Sequence, residues 1–310
     1  MSENRERMLA RAHRAFQDKP ISEFTKRVRA IIGPAAGQIQ EQLAQDALKA
    51  WDDGEEPTPK QLAALELVIR TMRPAPLSRN GELEKLDADV APCFKDWESF
   101  RANIKPFIYS IGRVDLAPEK GIGTGFLVSE TLLLTNRHVL DVLSNGTNVL
   151  ERGQAVVRFK EEFKSPTEDP VDIVGVAALH PKLDAALLRV EEKKFDDGRL
   201  PLSIETNEVE SGQAVVAVGY PFEDNIRNPI FVGALFGDRF GVKRAAPGEV
   251  TGAEQESIFH DCSTLGGNSG SPILSMDNAR VVGLHHDGFF RFRNEAVNGK
   301  SLSDFVSPHL

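Results

Sequence analysis

A serine hydroxyl is a weak nucleophile near neutral pH. It needs a base within hydrogen-bond reach, and that base needs a carboxylate to hold it. It also needs backbone N–H donors aimed at the charge that develops on the attacked carbonyl. This chain supplies all of these. Residues 266–272 read GGNSGSP, with Ser269 between glycines that permit a tight turn most residues would obstruct. Such a turn can point the N–H groups of Gly267 and Ser269 into one small space, the geometry of an oxyanion hole. His138 directly follows two β-type runs in GTGFLVSETLLLTNRHVL, residues 123–140. Asp184 opens a strand-like run in HPKLDAALLRV, residues 180–190. Asp169 and Asp172 are rival carboxylates, and Asp184 is the preferred candidate. His180 reads as support for its loop. The histidine comes first, and no G-x-S-x-G is present, which excludes an α/β-hydrolase.

These residues need strands to hold them. From about residue 103, short β-rich runs recur between turn residues: IGTGFLVS, TLLLT, AVVRF, IVGVAAL, AALLRV, AVVAVGY, IFVGALF and VVGLHH. Their length and spacing predict an all-β barrel or sandwich. Residues 1–75 have a different texture. Leu9, Ala12 and Phe16, then Phe24, Val28 and Ile31, recur at helical spacing. Ile39, Leu43, Ala47 and Trp51 step by four, and Leu62, Leu65, Ile69 and Met72 by three, four and three. Pro20, Gly33-Pro34 and the stretch from Gly54 to Pro57 separate these segments. Thr58, Pro59 and Gln61 form a helix start with a capping box. A four-helix module is expected over 1–75. A linker with a short helix near Trp97 is expected over 76–102, and a β domain over 103–310.

The bulk properties fit a globular protein. Of 310 residues, 41% are hydrophobic and 27% charged. The 37 basic and 46 acidic residues give a net charge of −9, a poor basis for nucleic-acid binding. The first residues are polar and charged, without a signal-type apolar stretch, and no run is long enough to span a bilayer. The two cysteines, Cys93 and Cys262, cannot make a disulfide framework. A cytoplasmic location without membrane insertion is expected. Within residues 1–30, eight basic residues oppose four acidic ones. This is the pattern of a solvated helix face, and it would also suit an acidic protein partner.

The motifs around these residues resemble those of the trypsin-like, chymotrypsin-fold serine peptidases. That family carries G-[TS]-G-F-x-[VI] followed by T-x-x-H-V, matched at residues 123–128 and 135–139. It carries D-[IVA]-A-[LV]-[LI], matched from Asp184, and G-[DN]-S-G-[GS]-P, matched at residues 267–272. The likeness covers about residues 105–300. It implies a mainly β fold, a double β-barrel protease domain preceded by a small all-α domain. It also implies a serine endopeptidase with His138, Asp184 and Ser269 as triad, Gly267 and Ser269 as oxyanion donors, a protein or peptide substrate, and no cofactor or metal. The alternative is a catalytically silent scaffold on the same fold. Such scaffolds usually lose a triad residue, and this chain keeps all three.

Within the family, the segments STLGGNSGSP (263–272) and GLH (283–285) are similar to those of bacterial glutamyl endopeptidases. That likeness places Thr264 and His285 where the substrate's glutamate is received. A hydroxyl and an imidazole can both donate to a carboxylate. The competing reading is that His285 only packs against its strand, with His286 facing solvent. A metal site at His285-His286 lacks further ligands. No Asp lies five or six residues before Ser269, which disfavours cleavage after Lys or Arg. The N-terminal segment resembles, by position, size and helical pattern alone, the small adaptor modules before trypsin-like domains in bacterial antiphage defence systems. That resemblance implies gating or recruitment by a protein partner through residues 1–75. The other reading is a plain structural extension.

Overall fold

The computed structural model describes residues 9, 11–12, 21–165, 170–223, 229–289 and 293–310. The chain makes two compact units, each discontinuous in sequence. One comprises residues 1–74, 86–95 and 224–238. The other comprises 75–85, 96–223 and 239–310.

The first unit is helical. Its main helices are α1 (Ile21–Ile32), α2 (Pro34–Asp52) and α3 (Pro59–Thr71). Gly33, at φ 90°, turns the chain between α1 and α2 in a conformation that favours glycine, and Pro34 starts α2. Thr58 caps α3. Its hydroxyl accepts from the Gln61 N–H, and the Gln61 side chain accepts from the Thr58 N–H at 2.7 Å. Leu62, Leu65, Val68 and Ile69 of α3 are buried, as are Val28 of α1, Ala44 and Ala47 of α2, and Leu9 and Ala12. Each such large apolar side chain contributes about 1.5–3 kcal/mol on full burial.

The step-by-four row on α2 does not form one buried face. Gly37, Glu41, Ala44 and Ala47 are buried, whereas Ile39 is 61% exposed. A strict spacing of four drifts around a helix of 3.6 residues per turn, so a long row cannot share one face. Phe16 and Pro20 lie outside the described residues. The run IFVGALF, expected as a strand, is a helix over Pro229–Phe236 and belongs to this unit. It is apolar all round, so its pattern carries no period that would tell a buried strand from a buried helix. Gly237, at φ 58°, follows its last residue, and its N–H bonds back to Gly233.

The second unit opens with a hairpin, β1 (Ser78–Arg79) and β2 (Glu82–Leu83), and a short helix, α4 (Trp97–Asn103). Two closed six-stranded antiparallel barrels follow. The first contains β3 (Ile111–Leu116), β4 (Lys120–Leu127), β5 (Leu132–Thr135), β6 (Ala155–Arg158), β7 (Val171–Leu179) and β8 (Ala186–Val190), in the order β3-β4-β5-β8-β7-β6. Helix α5 (Arg137–Leu143) follows β5. The second contains β9 (Ala214–Gly219), β10 (Arg244–Ala253), β11 (Ser257–His260), β12 (Pro272–Ser275), β13 (Val281–Phe289) and β14 (Arg293–Asn298), in the order β10-β11-β14-β13-β12-β9. This is the chymotrypsin-like double barrel. Closure leaves no unpaired sheet edge, and buried Val114, Leu133, Val157, Ile173 and Leu188 fill the first barrel. Among the described residues, no helix is long and apolar enough to cross a membrane.

Candidate active site

His138 stands in the first turn of α5, just after β5 ends at Thr135. Its Nδ1 lies 2.6 Å from Asp184 Oδ2, and its backbone N–H donates to Asp184 Oδ1 at 3.0 Å. One carboxylate thus grips one residue twice. With Nδ1 donating to Asp184, Nε2 is left as the acceptor. Burial alone would raise the Asp184 pKa. The hydrogen bond and charge of His138 outweigh it and hold the carboxyl below its usual value. Asn136, fully buried, donates from Nδ2 to the Asp184 carbonyl at 2.9 Å and ties the α5 entrance to the aspartate loop. His180 shapes that loop: its Nδ1 accepts from the N–H groups of Lys182 (3.2 Å) and Leu183 (2.8 Å). Asp172 is turned elsewhere, on β7 beside Arg152 at 3.4 Å. Asp169 lies outside the described residues.

The turn that carries Ser269 comes from the second barrel but is held from several sides. Gly267 and Gly270 have φ of 88° and 85°. A β carbon at Gly267 would lie 2.3 Å from the Tyr220 carbonyl oxygen, and one at Gly270 would lie 2.0 Å from that of Thr124. Only glycine fits either position. Two carbonyls of the turn are pinned. The Gly266 oxygen accepts from Phe222 N–H at 2.7 Å, and the Asn268 oxygen from Ser271 N–H at 2.8 Å. In a trans peptide the N–H points opposite the C=O. The N–H groups of Gly267 and Ser269 are therefore directed away from those anchors. Among the described residues, neither N–H donates to a protein acceptor.

Thr124 of β4 braces the same turn. Its N–H donates to the Ser269 carbonyl and its hydroxyl to the Gly267 carbonyl, both at 2.8 Å, while that hydroxyl accepts from Tyr220 N–H at 3.2 Å. Gly123 sits between the two halves of the site. A β carbon there would lie 2.9 Å from Val139, next to His138, and 3.0 Å from the Ser269 carbonyl. Among the described residues, no hydrogen bond joins Ser269 to His138. Bonds between nucleophile and base are often long in unliganded sites and tighten with substrate.

Beside the turn, the Gly270 N–H donates to the His285 carbonyl and the His285 N–H to the Ser271 carbonyl, at 2.8 and 2.9 Å. The β13 residue His285 therefore adjoins the turn that carries Ser269. It is buried, with Nδ1 3.2 Å from Nε2 of His260 on β11. Burial pushes the His260 pKa down to about 4, so this imidazole is neutral near pH 7. Thr264, also buried, donates its hydroxyl to Asn294 Oδ1 at 3.1 Å, and Asn294 Nδ2 donates to the Cys262 carbonyl at 2.6 Å. His286 is partly buried, with Nε2 3.9 Å from Glu295 Oε1. The sequence did not single out His260 or Asn294. Neither carries a motif, and the barrel brings them to the site from 25 and 30 residues away from their partners. Among the described residues, no group of three or more His, Cys, Asp or Glu could hold a metal ion.

Residues 123–284, more than half of the chain, match the family described as the trypsin-like peptidase domain. A protein of Lysobacter enzymogenes named "probable serine protease" is 28% identical over 282 residues, covering 76% of this chain and 72% of that one. A glutamyl endopeptidase of Staphylococcus epidermidis is 28% identical over 197 residues, covering 61% of each, so the chain spans about six-tenths of that relative. Among solved structures, a serine endoprotease from Yersinia pestis is similar with a TM-score of 0.48 and 16% identity, covering 68% of this chain and 65% of that one. The family match and the double barrel agree, and this chain belongs to the trypsin-like peptidases, the serine proteases that hydrolyse peptide bonds.

Proposed function

We propose that the chain is a serine endopeptidase acting through an acyl-enzyme on the triad His138, Asp184 and Ser269. The observation that carries this is the double grip of Asp184 on His138, across Gly123 from a glycine turn whose two N–H groups have, among the described residues, no protein acceptor. Ser269 Oγ attacks the scissile carbonyl while His138 Nε2 takes its proton and returns it to the leaving amine. Asp184 fixes the tautomer and stabilises the imidazolium. The N–H groups of Gly267 and Ser269 hold the oxyanion.

The pocket beside the turn favours an acidic side chain. His260 Nδ1 is buried without a partner. An orphaned acceptor is tolerated better than an orphaned N–H. His260 therefore carries its proton on Nε2 and donates to His285 Nδ1, which puts the His285 proton on Nε2. Thr264, whose hydroxyl donates to Asn294 Oδ1, and His285 are the two residues proposed to receive that side chain. The glutamyl endopeptidase name of the staphylococcal relatives supports the same preference. The helical unit gates or recruits the protease in the cytoplasm, in a bacterial defence-type or regulatory setting. Its support is the helical architecture of residues 21–71 and the resemblance of the segment to adaptor modules.

The test is digestion of a mixed peptide library by wild type and Ser269→Ala, with mass spectrometry of the new termini. Cuts after Glu or Asp that vanish in the variant are expected. Serine-dependent cuts after other residues would overturn the His285 assignment and keep the triad. Cuts that persist in Ser269→Ala would overturn the triad.

A further inference from the structure

We infer that Phe222 is a positioning residue for the oxyanion turn. The inference rests on the oxyanion assignment proposed above. A Gly-Gly peptide has little steric preference between its two faces. Hydrogen bonding therefore decides whether the Gly266–Gly267 peptide presents its N–H or its oxygen to the cleft. The Phe222 N–H takes the Gly266 oxygen at 2.7 Å. Without that bond the peptide can turn over and set a carbonyl against the developing oxyanion.

The Phe222 ring reinforces the arrangement by filling the space between two glycines. A β carbon at Gly267 would lie 2.5 Å from the ring, and one at Gly121 of β4 would lie 2.4 Å from it. Phe222 is also the root of the excursion, because the chain leaves the β unit after Glu223 and rejoins it at Arg239. On the return side, Gly241 N–H donates to the Pro221 carbonyl at 2.7 Å. The Gly241 oxygen accepts from Arg113 Nη1 at 2.8 Å, and Arg113 is itself held by buried Asp115. One root is therefore anchored in the first barrel, and the other is Phe222.

The experiment uses the full chain as wild type, Ser269→Ala, Phe222→Pro and Phe222→Leu. It measures fluorophosphonate labelling, kcat and KM on a cleaved peptide, and inhibition by the matching peptide aldehyde, whose hemiacetal oxygen occupies the oxyanion hole. Labelling of wild type and not of Ser269→Ala secures the triad; an unlabelled wild type overturns the triad reading and this inference with it. Phe222→Pro deletes the N–H. Its kcat should fall roughly a hundredfold to a thousandfold, with KM little changed and aldehyde affinity weakened in parallel. A purely structural lesion would not move aldehyde affinity and kcat together at constant KM. Phe222→Leu keeps the N–H and should stay within about tenfold of wild type. A Pro variant equal to wild type, or a Leu variant as impaired as the Pro variant, overturns the assignment. If the Pro variant does not fold, amide hydrogen exchange on wild type decides. Phe222 N–H should exchange slowly. A fast Phe222 amide overturns the positioning role.

Discussion

The two barrels reach the cleft by different means. In the first, His138 and Asp184, the proposed base and its carboxylate, are neighbours in one barrel, joined by two direct hydrogen bonds and backed by buried Asn136. In the second, the nucleophile turn leans on groups outside its own sheet: Thr124 from the other barrel, and Phe222 at the root of a segment that leaves for the helical unit. The His138–Asp184 pair is self-contained, whereas the geometry of the Ser269 turn is borrowed. Lesions in the first barrel should therefore act on proton transfer. Lesions in the props of the second should act on oxyanion stabilisation.

Four changes would break or sharpen that contrast. Asp184→Asn has the largest expected effect. It preserves shape but lets an amide confront His138 Nδ1, and kcat should fall about 10⁴-fold. Steady-state kinetics showing less than tenfold would end the claim that this pair is the base.

Next is His260. Its folded pKa of about 4 lies below the ordinary 6.5. Above pH 6.5 the imidazole is neutral in both states and stability is independent of it. As pH falls from 6.5 to 4, the unfolded chain takes up a proton that the native chain does not, and stability drops by about 1.4 kcal/mol per pH unit, roughly 3 kcal/mol in all. Asp184 does not confuse this window, because its depressed carboxyl loses stability only below its ordinary value of 3.8. Denaturant melts of His260→Gln should show a flatter slope between pH 6.5 and 4; an unchanged slope would refute the assignment.

Thr124→Val comes third. It leaves the buried Gly267 carbonyl and Tyr220 N–H without the hydroxyl they share. A cost of about 1–3 kcal/mol in stability is expected, together with lower kcat at constant KM. Equal activity would show that the second barrel holds its turn unaided. Smallest is Thr58→Ala, which removes the α3 cap and should cost the helical unit about 1 kcal/mol in thermal or denaturant melts. Its kcat should match wild type.

Much of the site could be read in sequence because each part sits in a short contiguous segment. GNSGSP carries its own turn chemistry, and the carboxylate of HPKLDAALLRV lies two residues before β8. The capping box at Thr58 was legible for the same reason, since all its partners lie within four residues. What escaped is long-range or aperiodic. His260 meets His285 only because β11 and β13 both flank β14. The run IFVGALF has no period and forms a helix. Strand β10, over Arg244–Ala253, contains a proline and two glycines and gives little β signal. The discontinuity of the units had no local signature, because a domain crossing depends on what a segment packs against.

The helical unit is assembled from three stretches of chain, the last of them residues 224–238. Its N-terminal helices leave the ribosome early, yet their final packing partner emerges only after the whole first barrel has been made. The module is thus a late-closing one in biosynthesis, and its completion coincides with the start of the barrel that carries the nucleophile. For the same reason it is not portable. A cut near residue 75 would separate helices from part of their own core, and a fusion built from that fragment would carry an unfinished fold.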